Sequence, residues 1–244
     1  MADAAQIVAL VETGQEAIDS MLVHSGRLTE ALASAFPAVS LEAVAAEFAK
    51  TSASKEVNAK VAALSNSVRE EAAVAVGIFR SAEMWLRIKT PSVSDGNNFG
   101  VDVQNYVITE LQAMQKAVDA MVTTSKDYHW ARAAGLDKLY AGESSETKKD
   151  SSESTEEKDD KPETKKTTSS STSSKSSAQP ASADYKEYLV QVDVRQYQNC
   201  YSQLSEIRNS YIRAHLLFAK NLKRLTDPRG EGEDGRSGNV MSMF

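Results

Sequence analysis

Three histidines and one cysteine, His24, His129, His215 and Cys200, are the side chains of this 244-residue chain best suited to move a proton, attack a carbonyl or bind a soft metal. Each would need company. A catalytic histidine needs a nucleophile or a carboxylate within hydrogen-bond reach, and a zinc site needs further ligands at short spacing. The chain has no HExxH, no paired ExxH carboxylate motif, no P-loop, no Rossmann glycine pattern and no GxSxG. The histidines fall on three different predicted helices without an acidic partner at ligand spacing, so they read as surface or helix-packing residues. Cys200 falls inside an apolar stripe and reads as a small core residue. A single cysteine also excludes an intramolecular disulfide and a Cys-cluster zinc site, and it fits a reducing compartment. No catalytic residue, metal or cofactor is expected, and the chain is not read as an enzyme.

A second stretch stands out for its residue types: SDGNNFGVDVQ, Ser94 to Gln104. Its acidic and amide groups resemble part of a calcium loop only superficially, because acidic ligands at alternate positions and a closing bidentate glutamate are missing. Asp95, Gly96, Asn97 and Asn98 are residues that turn a chain, through tolerance of positive φ and side-chain bonds to nearby backbone. Composition alone therefore supports a connecting turn. Phe99 is the odd member, since a bulky apolar side chain in a solvated turn usually packs against something.

The elements that hold this corner are helices. The composition is rich in Ala, with 11 Gly, 5 Pro and 7% aromatics, which favours long helices over many strands. In the first segment Ile7, Val11, Ile18, Met21, Leu22, Leu28 and Leu32 recur at three- and four-residue steps, up to Phe36-Pro37. Ser40 is placed to cap a short turn through Phe48. Val61, Leu64, Val68, Ala72, Ala75, Phe79, Ala82 and Leu86 then mark a second long helix that ends at Lys89-Thr90-Pro91. A third starts after Gly100, with Asp102 favourably placed at its N-terminus and Val103, Val107, Leu111, Met114, Val118, Met121 and Tyr128 on one stripe. It fades near Gly142. From there to Ser182 the chain is Ser, Thr, Lys and Glu without a large apolar residue, so burial cannot offset its ordering entropy and disorder is expected. A fourth helix runs from about Asp184 to Leu225. Leu204, Tyr211, Phe218 and Leu225 repeat every seven residues, flanked by Cys200, Ile207 and Ala214 and by Tyr201, Arg208, His215 and Leu222. That stripe is wider than one two-helix seam needs.

The expected class is all-α, an up-down four-helix bundle: residues 1–141 supply three helices, 142–182 a disordered linker, 183–227 the fourth helix and 228–244 a C-terminal tail. Alternating helices place the corner between the second and third helices at the same end as the tail, with the linker at the far end. The net charge of -6 gives no reason to expect nucleic-acid binding through phosphates. No window approaches the ~18 apolar residues of a membrane span, so no membrane is expected. The opening residues MADAAQIVALVETGQEAID carry acids where a secretion signal needs bases. The reading is a protein of the cytoplasm and/or nucleus.

Joined to its neighbours, the corner points further. MWLRIKTPSVSDGNNFGVDVQ, Met84 to Gln104, closely resembles the segment between helices 2 and 3 of the 11S proteasome-activator (REG) family: Trp85-Leu86, Pro91, Asp95 to Val101 and Val103-Gln104 match. EIRNSYIRAHLLFAKNLKRLTDPRG resembles that family's last helix through Glu206 to Asn209, Tyr211, Lys220-Asn221 and Pro228 to Gly230, and AFPAVSLEAVAAEF is a weaker third match. The resemblance implies a ring, typically a homo-heptamer of four-helix bundles, that docks without ATP on the α-subunits of the 20S proteasome. It implies that Asp95, Gly96, Asn97, Asn98, Phe99 and Gly100 form an activation loop that opens the substrate gate. It further implies that Val240, Met241, Ser242, Met243 and Phe244 form the docking tail, whose terminal carboxylate pairs with a lysine. Two departures stand out: the charged tract lies between helices 3 and 4 rather than between 1 and 2 as in vertebrate members, and the tail ends in Met243-Phe244 rather than tyrosine. A helical oligomeric adaptor or scaffold without a proteasome role would use the same apolar stripes but would not need the DGNNFG corner.

Overall fold

The computed structural model describes residues 2–38, 40–92, 98–123, 125–146 and 183–230. Among them the regular elements are all helical: α1 (Ala2–Ala35), α2 (Leu41–Phe48), α3 (Ala59–Lys89), α4 (Phe99–Thr123), α5 (Ser125–Glu146) and α6 (Ala183–Thr226). The helix ends follow local chemistry. Ser40 Oγ accepts from the Ala43 amide and starts α2, and Asn58 Oδ1 accepts from the Val61 amide and starts α3. Thr90 closes α3 in extended backbone, as the following Pro91 requires. The third stretch of the sequence pattern is two elements, α4 and α5, on either side of Thr124, and α5 runs to Glu146, past the Gly142 at which the pattern fades.

Cross-helix contacts fix the directions. Arg27 pairs with Glu71 and Gly14 faces Trp85, so α1 and α3 are antiparallel. Glu83 meets Gln112 and Gln115, which reverses the chain again in α4. Gln104 bonds to Leu225 and Gln203 to Met121, which sets α6 against α4. The fold is a helical bundle of alternating direction, with α5 extending in the sense of α4 along the first half of α6.

The core lies on the predicted stripes. Every apolar position assigned to α3 is buried, as are Ile18, Met21, Leu28 and Leu32 of α1 and Val107, Leu111, Met114 and Val118 of α4. In α6 the seven-residue series Leu204, Tyr211, Phe218 and Leu225 is buried together with the flank Cys200, Ile207 and Ala214. The other flank is not: Tyr201 is 49% and Leu222 51% exposed. In α1, Ile7 and Leu22 also stay outside the core, beside exposed Val8, Leu10 and Val23. No described helix is long and apolar enough to cross a membrane.

Candidate functional site

The site is the end of the bundle where α3 stops, α4 begins and α6 ends. Four cations cluster in the last turns of two helices, Arg87 and Lys89 in α3 and Lys223 and Arg224 in α6, where they complement the negative ends of the helix dipoles. Asp102 sits in the first turn of α4, where a negative charge is favoured, and its amide donates to the Asn98 carbonyl at 2.9 Å. One fully buried side chain ties the three helices together. Gln104 Nε2 donates to the Leu225 carbonyl at 2.9 Å and lies 3.4 Å from the Lys89 carbonyl, so a single amide satisfies carbonyls at two helix C-termini. Its Oε1 finds no protein donor.

The chain leaving α6 lies against the corner. The Arg229 guanidinium donates to the Ser92 carbonyl, on the α3 side of the corner. On the α4 side, Gly100 is buried against Pro228: a Cβ built there would stand 2.0 Å from the Pro228 carbonyl oxygen and 2.5 Å from its Cα, so only glycine fits. Phe99 is 57% exposed with the Arg224 guanidinium over its ring at 4.7 Å. Beyond the end of α6 at Thr226, Gly230 adopts a positive φ of 68° and its amide donates to Asp227 Oδ1 at 2.9 Å, closing a short turn over residues 227–230.

One turn back along α3, Glu83 stiffens the hairpin. Its carboxylate accepts from Arg87 Nε and Gln112 Nε2 at 2.8 Å and from Gln115 Nε2 at 2.9 Å. Burial pushes this carboxyl up, but the bonds from Gln115, Arg87 and Gln112 together with the Arg87 charge outweigh it and hold the group below the usual carboxylate range.

Of the residues singled out in the sequence, Asn98, Phe99 and Gly100 are therefore placed at this end, Asn98 and Phe99 exposed and Gly100 packed on the root of the tail. Asp95, Gly96 and Asn97 lie outside the described residues, as do Val240 to Phe244 and the linker residues 147–182. The histidines do not converge. His24 stacks on Tyr211 at 5.4 Å, and burial followed by the nearby Arg27 charge lowers its pKa. His129 lies edge-on to Tyr128 and His215 sits on α6. Cys200 is fully buried, 3.6 Å from Ser65 Oγ and 3.7 Å from Gln196 Nε2, and burial raises its thiol pKa. Among the described residues no group of three or more His, Cys, Asp or Glu could hold a metal ion.

The sequence reading missed a polar constellation at the opposite end. Asp193 on α6 is fully buried and accepts from Ser52 Oγ at 2.8 Å, Asn58 Nδ2 at 3.0 Å and Tyr128 OH at 2.9 Å. Arg132 Nε lies 3.4 Å from the same carboxylate, and Arg132 Nη2 donates to the Ser52 and Ser54 carbonyls. Burial first, then the Asp193 charge, pushes the Tyr128 hydroxyl far above its ordinary pKa. The group stays protonated and donates; the cluster is a lock joining the α2–α3 connection, α5 and α6. A signal for it existed, since Asp193 continues the buried register of Cys200, Ile207 and Ala214 one heptad back.

Comparison with known proteins gives a consistent family. The family described as "Proteasome activator PA28, C-terminal" matches residues 54–162 and 145–235. The human Proteasome activator complex subunit 3 is 21% identical over 177 residues, covering 72% of this chain and 55% of its own length. Proteasome activator 28 of Dictyostelium discoideum is 23% identical over 145 residues, covering 59% of this chain and 48% of its own length. The chain thus spans about half the length of the curated relatives it matches. Among solved structures, the 11S subunit of the Plasmodium falciparum proteasome, PA28, is 18% identical with a TM-score of 0.50, covering 71% of this chain and 59% of its own. A chain from a proteasome–11S activator complex is 14% identical with a TM-score of 0.59, covering 96% of this chain and 98% of its own. At these identities the structures speak for the shared helical fold.

Proposed function

The chain belongs to the proteasome activator PA28 family, and from that footing we propose that it activates the 20S proteasome by docking through its C-terminal tail and opening the substrate gate with the α3–α4 corner. The observation that carries this reading is the joining of both flanks of the corner to the root of the tail at a single end of the bundle. A surface that binds through the tail brings the corner to the same partner face. The partner is the α-subunit ring of the 20S proteasome, and no nucleotide is required, in keeping with a sequence that offers no phosphate-cradling loop.

The active form is a ring of identical copies, a heptamer. Apolar side chains left exposed on α1 (Ile7, Val8, Leu10, Leu22, Val23) and on α6 (Tyr201, Leu216, Leu222) offer apolar surface that self-association would cover. The ring matters energetically. One tail is a small site, but several copies on a rigid frame bind with an avidity well above the single-site affinity. Gate opening is a separate requirement, since the activator shifts the gate only by contacting the open form better than the closed one. The flanks of the corner are held by Gln104, Glu83 and Pro228, which lowers the ordering cost of presenting it. The charged tract of the sequence falls between α5 and α6, whose facing ends lie away from the corner, and an insert there is tolerated because closure cost grows slowly with length.

The test is direct. Purified chain added to purified 20S proteasome in nucleotide-free buffer should raise hydrolysis of short fluorogenic peptides several-fold, in proportion to ring occupancy. Unchanged hydrolysis at saturating chain overturns the reading.

A further inference from the structure

The outer faces of α1 and α6 carry opposite charge. Between Ala4 and Gly26 the only Asp, Glu, Lys or Arg residues are Glu12, Glu16 and Asp19, whereas between Ile207 and Thr226 the chain has Arg208, Arg213, Lys220, Lys223 and Arg224 and no acid. Helical spacing gathers these charges into stripes: Glu12, Glu16, Asp19 and Val23 share one exposed face of α1, and Arg213, Leu216, Lys220 and Lys223 share one exposed face of α6. The two stripes lie along the same stretch of the bundle. His24 stacks on Tyr211, and Phe36 contacts the rings of Tyr197 and Tyr201, so the register of these antiparallel helices is set at two levels. Counting residue for residue from His24 and Tyr211 toward the end where α6 stops places Glu12 level with Lys223 and Glu16 beside the level of Lys220. Within one copy these charges do not meet. Glu12, Glu16, Lys220 and Lys223 form no ion pair among the described residues, because both stripes face away from the bundle.

Every copy of the ring described under the proposed function turns the same end toward its partner, so neighbours are related by rotation about an axis along the bundle and equal levels meet. We propose that the acidic face of α1 in one copy packs against the basic face of α6 in the next, with Glu12 opposite Lys223 and Glu16 opposite Lys220. This interface rests on the ring of the functional reading and deepens it, because it names the two surfaces that meet. Pairing like faces would set like charges together, so the contact is head to tail. Apolar surface accompanies the charges. Beside the basic stripe, α4 and α6 leave a groove of about 190 Å³ lined by Met114, Leu216 and Leu217 together with Glu110, Arg213 and Lys220. Val23, 72% exposed, continues the acidic stripe to the level of Arg213 and supplies an apolar contact for this groove.

The experiment follows assembly of the full chain without proteasome, by sedimentation velocity over a dilution series at low ionic strength, with circular dichroism checking the fold of each variant. Glu12→Lys with Glu16→Lys, and separately Lys220→Glu with Lys223→Glu, turn attraction into repulsion at every interface. Each pair of changes should raise the concentration of half-assembly at least about tenfold. All four changes in one chain restore opposite charges with the signs exchanged, and should bring that concentration back to within about threefold of the unmodified chain. A chain whose fold had failed would not be rescued by two further reversals. Salt at about 1 M, where screening acts over about 3 Å, should shrink the differences among the chains. A smaller shift in either one-sided variant, or a four-change chain that fails to recover, overturns the proposal. An unmodified chain that stays monomeric at every concentration removes the ring from the functional reading and this interface with it, whereas a ring indifferent to these charges removes this interface alone.

Discussion

Replacing Asp193 by alanine should be among the most destabilising single changes available in this chain. The substitution strands the Arg132 guanidinium, whose side chain is 5% exposed, and removes the acceptor of Ser52, Asn58 and Tyr128 together. Breaking a buried ion pair by deleting one partner costs about 3–5 kcal/mol, because the remaining charge stays desolvated. Asp193→Asn keeps the shape but turns one acceptor into a donor facing donors, so it should cost somewhat less, about 2–3 kcal/mol. Arg132→Met in the Asp193→Ala background removes the stranded charge, and the two changes should therefore be non-additive by about 1–3 kcal/mol. Urea unfolding followed by circular dichroism, at one fixed protein concentration so that the proposed self-association would weigh equally on every variant, measures all three. Hydrogen exchange should show the loss first at residues 51–58 and in α5, with the α3–α4 corner at the other end retained. A cost below about 1 kcal/mol for Asp193→Ala, or strict additivity with Arg132→Met, would refute the idea that this carboxylate organises the far end.

Two further outcomes are expected. Glu83 is held below the usual carboxylate range, so its charged form favours the folded state at neutral pH; that contribution is complete above the ordinary value of about 4.3 and is lost as the pH falls from there through the lower folded value. Glu83→Gln should thus cost about 1 kcal/mol at pH 7 and progressively less below pH ~4, as read from unfolding curves at several pH values; a gap that persists unchanged in acid would contradict the assigned charge role. Deleting Val240 to Phe244 should leave the helical signal and the oligomer intact yet abolish co-sedimentation with the 20S proteasome, and undiminished co-sedimentation would remove the tail from the docking contact.

Much of the bundle was legible because buried positions impose a period that no other arrangement shares. The seven-residue series from Leu204 to Leu225, the α3 stripe, and the capping role of Ser40 all follow from patterns within one helix, and the structure has them in place. What was not legible depends on partners distant in sequence. Gly100 resembles a turn glycine beside Asn97 and Asn98, yet it lies in the first turn of α4, and its need for a bare Cα comes from Pro228 at the other end of the chain. Gln104 matched a family pattern without revealing that it would cap the ends of α3 and α6. Asp193 occupied a buried register in plain view, but a lone acid in an apolar stripe declares itself only when Arg132 and Tyr128 are seen to converge on it. The exposed apolar side chains Ile7 and Leu22 carry helical periodicity just as core residues do. Periodicity identifies an apolar face; it does not say whether the same chain covers it.

The most direct test of the account is a side-by-side titration of the unmodified chain and Asn98→Tyr into 20S proteasome, with binding, assembly and peptide hydrolysis read on the same preparations. Asn98 is exposed at the start of α4, so a tyrosine there alters the surface offered to a partner without entering the core. The account predicts a variant that assembles, binds and competes with the unmodified chain, yet fails to stimulate hydrolysis. An Asn98→Tyr protein that assembles, binds and stimulates to the normal level would contradict the assignment of the corner to gate opening.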